Sequence, residues 1–166
     1  MNTEAIKVGT FKIEPFKLPS QSGAEIDSAA ISSPYLVLFF YPKDSTPGCT
    51  REAIAFSQHL GELEALGATV FGVSGGNSAS KAKFCERSSL TVTLLADEEL
   101  TLAKALGAFG PKKFMGRSYE GILRKTFILD KDQNNEYHNV LAEIEDVKPE
   151  LHASKAIELL KSLKRQ

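Results

Sequence analysis

Tyr35-Leu36-Val37-Leu38-Phe39-Phe40-Tyr41 is an unbroken apolar run of strand length, ended by Pro42 and too short for a helix. Such a run suits a strand buried on both faces, as central parallel strands are. Beyond it, Ser45-Thr46-Pro47-Gly48 leads into apolar residues at Ala53, Phe56, Leu60 and Leu63, spaced three, four and three apart. That spacing predicts one face of an amphipathic helix, stopped near Gly67. Thr69-Val70-Phe71-Gly72-Val73 predicts a second strand, and the three segments together make a β-α-β unit with a right-handed crossover.

The alternation continues outward. Residues 78–89 predict a helix, 92–95 a strand, 98–106 a short helix and 122–129 a strand bounded by Gly121 and Asp130. Residues 130–135 carry turn chemistry leading to an antiparallel strand at 136–141, and Pro149 with Ala156, Leu159, Leu160 and Leu163 predicts a closing helix. Upstream, 11–31 holds short alternating pieces around Ser22-Gly23, read as a β-hairpin appended to the sheet edge. The stretch 107–121, rich in Gly and Lys, has no firm assignment, and long loops in compact domains are often functional. The fold class is α/β with a mixed central sheet. At 166 residues the chain is expected to form one domain over 1–166.

Composition narrows the function. The 20 Lys+Arg against 21 Asp+Glu give a net charge of −1, spread along the chain, which argues against a nucleic-acid or polybasic membrane-surface protein. With 42% hydrophobic and 25% charged residues the chain falls in the soluble globular class. No stretch approaches the ~18 apolar residues of a membrane span, and residues 1–9 lack a basic-then-apolar leader. Two cysteines cannot make a disulfide-dense scaffold, so the expected setting is a reducing cytoplasm in which cysteines serve chemistry.

Several reactions are set aside by pattern. Gly72-Val73-Ser74-Gly75-Gly76 is neither a dinucleotide fingerprint nor a P-loop, and no C-x-x-C occurs. His59, His138 and His152 show no metal-ligand spacing with the cysteines. The informative segment is Pro42-Lys43-Asp44-Ser45-Thr46-Pro47-Gly48-Cys49-Thr50. With Ser45 or Thr46 as the N-cap, and Thr46 placing Pro47 at the first helical position, Cys49 falls at the third. Unpaired backbone N–H groups and the positive helix end there favour thiolate over thiol.

Thr46 and Cys49 stand where a hydroxyl and a sulfur can meet one small substrate. Two readings of Cys49 remain at this level, a nucleophile or a small apolar residue under the first helical turn. Arg124 is the candidate cation, expected on a strand face with Ile122, Thr126 and Ile128; the other reading is an edge arginine reaching water. Arg51 is expected to be a solvated charge.

Pro42-x-x-x-Thr46-x-x-Cys49 resembles the peroxiredoxin active-site motif. Phe40-Tyr41-Pro42-Lys43-Asp44 before it and Thr50-x-Glu52-Ala53 after it are similar to the peroxiredoxin Q, or bacterioferritin comigratory protein, subfamily. Gly72-Val73-Ser74, Ser80-x-x-Lys83-Phe84, Leu94-Leu95-Ala96-Asp97 and Gly116-x-x-Tyr119-x-Gly121-Ile122-x-Arg124-x-Thr126-Phe127 agree with it in order and type.

The resemblance implies a thioredoxin-like fold and a thiol peroxidase that reduces hydrogen peroxide and organic hydroperoxides without metal or organic cofactor. By position, Cys49 is then the peroxidatic cysteine. Thr46 donates and accepts hydrogen bonds around the peroxide, Arg124 helps hold the thiolate and polarise the O–O bond, Pro42 shields the sulfur, and backbone N–H groups near Gly48 and Cys49 complete the cradle. Many members carry a second cysteine five residues after the first, where this chain has Ile54. Cys85, 36 residues on, is the expected resolving cysteine of an atypical two-cysteine cycle, with packing as its alternative. Thioredoxin or a similar dithiol is the expected reductant, and a monomer or weak dimer the expected assembly.

Overall fold

The computed structural model describes residues 6–134 and 136–164, so residues 1–5 of the leader reading, Asn135 of the predicted turn, and the last two residues of the single-domain span lie outside the described residues. The apolar run forms β4 (Tyr35–Phe40), and its side chains divide between two cores. Val37, Phe39 and Tyr41 join one cluster with Phe56, Phe84 and Leu160, whereas Leu36, Leu38 and Phe40 join another with Phe71, Leu102 and Phe127. Both faces are covered, and this is why the run shows no polar alternation.

Six strands make the sheet. In order these are β1 (Ile6–Ile13), β10 (His138–Ile144), β9 (Thr126–Lys131), β4, β5 (Ala68–Ser74) and β6 (Thr93–Ala96). β4, β5 and β6 run parallel, and the pairs β4–β9, β9–β10 and β10–β1 are antiparallel. Helices α1 (Pro47–Gln58), α3 (Ser78–Ser88) and α5 (His152–Lys164) contribute Phe56, Phe84 and Leu160 to the first core, and α4 (Thr101–Ala105) contributes Leu102 to the second. Phe39 stacks on Phe56 with centroids 4.1 Å apart. Gly72 makes room for it, since a Cβ there would stand 2.5 Å from Phe39 Cζ.

The structure corrects four expectations. The helix read to Gly67 is interrupted at His59 (φ −97°, ψ 6°), after which α2 (Leu60–Ala65) runs to Gly67 at φ +91°. Apolar spacing survives the break because Leu63 stays in the first core, so periodicity does not register it. The N-terminal hairpin is confined to β2 (Lys17–Pro19) and β3 (Glu25–Asp27) around Gly23 at φ +86°, and Ser20 bridges to Leu95 of β6. β1 is instead an edge strand of the main sheet. Its apolar positions change parity where the register shifts between Val8 and Phe11, which hides the alternation.

The unassigned stretch 107–121 holds most of a second hairpin, β7 (Phe109–Phe114) and β8 (Arg117–Ile122), turned by Met115 and Gly116 at positive φ. Most of its described residues are exposed, so it lacks the hydrophobic alternation that marks a half-buried strand. Finally, 122–129 is not one strand. Ile122 ends β8 and Thr126 begins β9, leaving Leu123, Arg124 and Lys125 as the link between two sheets.

Candidate active site

The loop after β4 is set by local chemistry. Ser45 takes φ 63°, a strained value for a residue with a side chain, and Thr46 (φ −88°, ψ 156°) is the N-cap of α1 with Pro47 at the first position. Cys49 is therefore the third helical residue, where backbone N–H groups lack intrahelical partners. The Thr46 hydroxyl donates to the Lys43 carbonyl (2.9 Å), and its own carbonyl accepts from Thr50 N (2.8 Å). Thr46 Oγ1 thus offers lone pairs rather than a proton to a molecule at the loop.

Cys49 is 1% exposed and belongs to the first core, so the packing reading describes its surroundings correctly. What packing does not explain is the cation beside it. Arg124 Nη2 donates to Cys49 Sγ at 3.5 Å, and Nη1 donates to Glu52 Oε1 at 2.7 Å. Arg124 is the residue the sequence nominated, but not on the strand face proposed for it. It stands in the inter-sheet link, fixed on one side by Leu123 N bonding Ala108 O and on the other by Lys125 O accepting from Phe40 N, both at 2.8 Å. Gly48 leaves the guanidinium its place, since a Cβ there would lie 3.2 Å from Nη2. Arg51, over half exposed, pairs with Glu150 at 3.6 Å as a surface charge.

Glu52, named above only within the subfamily motif, and His152, named only for lacking metal-ligand spacing, complete the site. Glu52 lies one turn beyond Cys49 on the same helix, a signal the spacing held once Cys49 was chosen. Burial pushes its carboxyl up to about 8, with Arg124 pulling it back. Burial also lowers the Arg124 pKa, but Glu52 and the Cys49 sulfur outweigh that and leave it raised. His152 Nδ1 lies 2.9 Å from Thr126 Oγ1 and 3.7 Å from Glu52 Oε2.

Burial and then the nearby Arg124 charge hold the His152 imidazole down to about 4, from an ordinary 6.5. A histidine kept neutral by the fold is protonated first in the unfolded chain, so its contribution to stability is lost as pH falls from 6.5 towards 4. Against His152→Gln, the parent is expected to lose ~1.4 kcal/mol per pH unit across that window. Urea midpoints of the two proteins measure it, and a gap constant with pH would refute it.

Pro42 is half-buried and lines a cavity with Asp44, Gly76, Ser80, Phe109 and Gly121. Cys85, in α3, is half-buried and packs against the core cluster that holds Cys49; both thiols are free. Burial and then Asp44 push the Cys85 thiol up, and Lys81 opposes them.

The AhpC/TSA family pattern matches residues 11–138. A putative peroxiredoxin bcp of Helicobacter pylori (strain J99) is 39% identical over 159 residues, 95% of this chain and 99% of that protein. The solved structure of peroxiredoxin Q from Xanthomonas campestris is similar with a TM-score of 0.78 at 33% identity, covering 89% of this chain and 90% of the other. A structure of the Xanthomonas campestris bacterioferritin comigratory protein, from work on its alkyl peroxide reduction activity, is similar at 0.79 and 31% identity, covering 89% and 91%.

Proposed function

This chain belongs to the AhpC/TSA family, within its Bcp or peroxiredoxin Q group, and from that premise we propose the catalytic cycle carried by its two thiols. The protein is a thiol-dependent peroxidase with a thioredoxin-like fold. Cys49 is the peroxidatic residue. Its thiolate attacks one peroxide oxygen, the O–O bond breaks, and water or an alcohol leaves as the sulfur becomes a sulfenic acid. Arg124 holds the charged sulfur and polarises the breaking bond, Thr46 Oγ1 accepts from the peroxide O–H, and the N–H groups at Gly48 and Cys49 face the developing charge. Pro42 shields the sulfur from water.

Cys85 then captures the sulfenic acid as an intramolecular disulfide, and thioredoxin or a similar dithiol reopens it by exchange. Hydrogen peroxide and organic hydroperoxides are the substrates, in a reducing cytoplasm. The observation that carries this reading is the Arg124 guanidinium 3.5 Å from a sulfur seated on the first turn of a helix. A solvated-edge arginine would not be held against a buried thiol.

One equivalent of peroxide followed by peptide mapping tests the cycle. The expected product links the peptides of Cys49 and Cys85. Cys85→Ser is expected to reduce one equivalent of peroxide, fail to turn over with thioredoxin, and leave the sulfenate open to overoxidation. Equal thioredoxin-dependent turnover in that variant would make this a one-cysteine enzyme using an external thiol.

A further inference from the structure

The loop that presents Cys49 and the helix that carries Cys85 are tied at one buried point. Asp44 receives hydrogen bonds from Tyr41 after β4 (2.6 Å), from Ser74 at the end of β5 (3.3 Å) and from two residues of α3, Ser80 (2.7 Å) and Lys81 (3.3 Å to each oxygen). Lys81 Nζ also donates to Ser74 Oγ at 2.6 Å and lies 5.5 Å from the centre of the Tyr41 ring. Its side chain is 0% exposed. Gly76 accommodates the carboxylate, because a Cβ there would stand 2.5 Å from Asp44 Oδ2. The peroxide step described above uses none of these groups.

Cys85 lies one helical turn beyond Lys81 on the same side of α3. A disulfide requires the two Cα atoms to come within about 7 Å with their Cβ vectors converging. Cys49 is seated in the first turn of α1 and Cys85 inside α3, both as free thiols, so closing an S–S bond between them moves the loop, α3 or both relative to each other. Such motion strains the bonds from Ser80 and Lys81 to Asp44, which run between the two segments. A buried charge pair pulled apart leaves two unpaired charges, so it resists opening more than a surface contact does.

We propose that Asp44, Ser80 and Lys81 form a latch between the peroxidatic loop and the resolving helix, whose opening sets how the Cys49 sulfenic acid divides between disulfide and overoxidation. The inference rests on Cys85 being the resolving thiol. In one branch the Cys85 sulfur displaces the sulfenic oxygen: an S–S bond forms, the S–O bond breaks, and the oxygen leaves as water with the thiol proton. In the other, a second peroxide oxidises the sulfenate to sulfinate and is itself reduced to water or alcohol. The longer the latch stays shut, the larger the second share.

Lys81 alone is a poor target, because removing it also changes the charge balance at Cys85. Asp44→Asn with Lys81→Met removes two opposing influences on that thiol together, and Ser80→Ala cuts one latch bond while leaving both charges in place. After a single peroxide pulse, the double variant is expected to form the disulfide about tenfold faster and Ser80→Ala about threefold faster, the span of an ordinary net hydrogen-bond contribution. Consumption of the first peroxide equivalent should keep its parental rate, and the sulfinate yield at high peroxide should fall. A merely structural role would not move this partition.

If the double variant does not fold, Ser80→Ala carries the test. A parental Cys49–Cys85 disulfide with an unchanged partition in folded Ser80→Ala overturns the latch alone. Absence of that disulfide from the parent overturns the resolving-thiol reading and the latch with it.

Discussion

Cys49→Ser is expected to lower peroxide consumption to the rate of buffer while leaving the fold intact. The substitution exchanges one buried sulfur for a smaller oxygen and adds no bulk, so the first core keeps its shape. The chemistry does not survive the exchange. An alcohol is not ionised near neutral pH and has no counterpart to sulfenic acid, so neither the attack nor the resolving step has a substrate. Peroxide disappearance under excess thioredoxin measures the first consequence, and circular dichroism the second. Retained turnover would remove Cys49 from the reaction altogether.

Arg124→Ala is expected to slow the peroxide step by about 10²–10³, the usual effect of deleting one preorganised donor from a site of developing charge. The guanidinium has two fixed partners, Cys49 Sγ and Glu52 Oε1, so its loss leaves a buried sulfur without its cation and a buried carboxyl without its base. Glu52 meets that loss by staying protonated, because burial already pushes it up to about 8. The variant should therefore fold, and its first-turnover rate against peroxide concentration, with the ultraviolet thiolate absorbance, isolates the chemical effect. Arg124→Lys is expected to recover only part of the rate, since a point charge cannot serve sulfur and carboxylate in one plane. A rate equal to the parent would return Arg124 to the role of a surface charge.

The sequence was most legible where one local rule decides the outcome. Thr46-Pro47 fixes the start of α1 and thereby the position of Cys49, because cap and first-turn preferences act over three residues. β4 was readable because burial on both faces needs no partner to be recognised. Arg124 was nominated from a strand face on which the structure does not place it. Its approach to sulfur comes from a link between two sheets, and that link depends on backbone bonds to Ala108 and Phe40, far away in sequence.

The other misses share that non-local origin. His152 reaches the site from α5, 103 residues beyond Cys49, and Lys81 reads as an ordinary helix lysine until Asp44, Ser74 and Tyr41 are folded around it. β1 was obscured by a shift in register, and β7 and β8 by the exposure of their described side chains.

The turn between β7 and β8 has a practical consequence. Met115 sits at its tip, 89% exposed, and a thioether in open water takes up oxygen from peroxide to give a sulfoxide. A whole-protein mass heavier by one oxygen therefore cannot by itself be counted as a modified cysteine. Digestion must first assign the added atom to the hairpin tip or to the nucleophile.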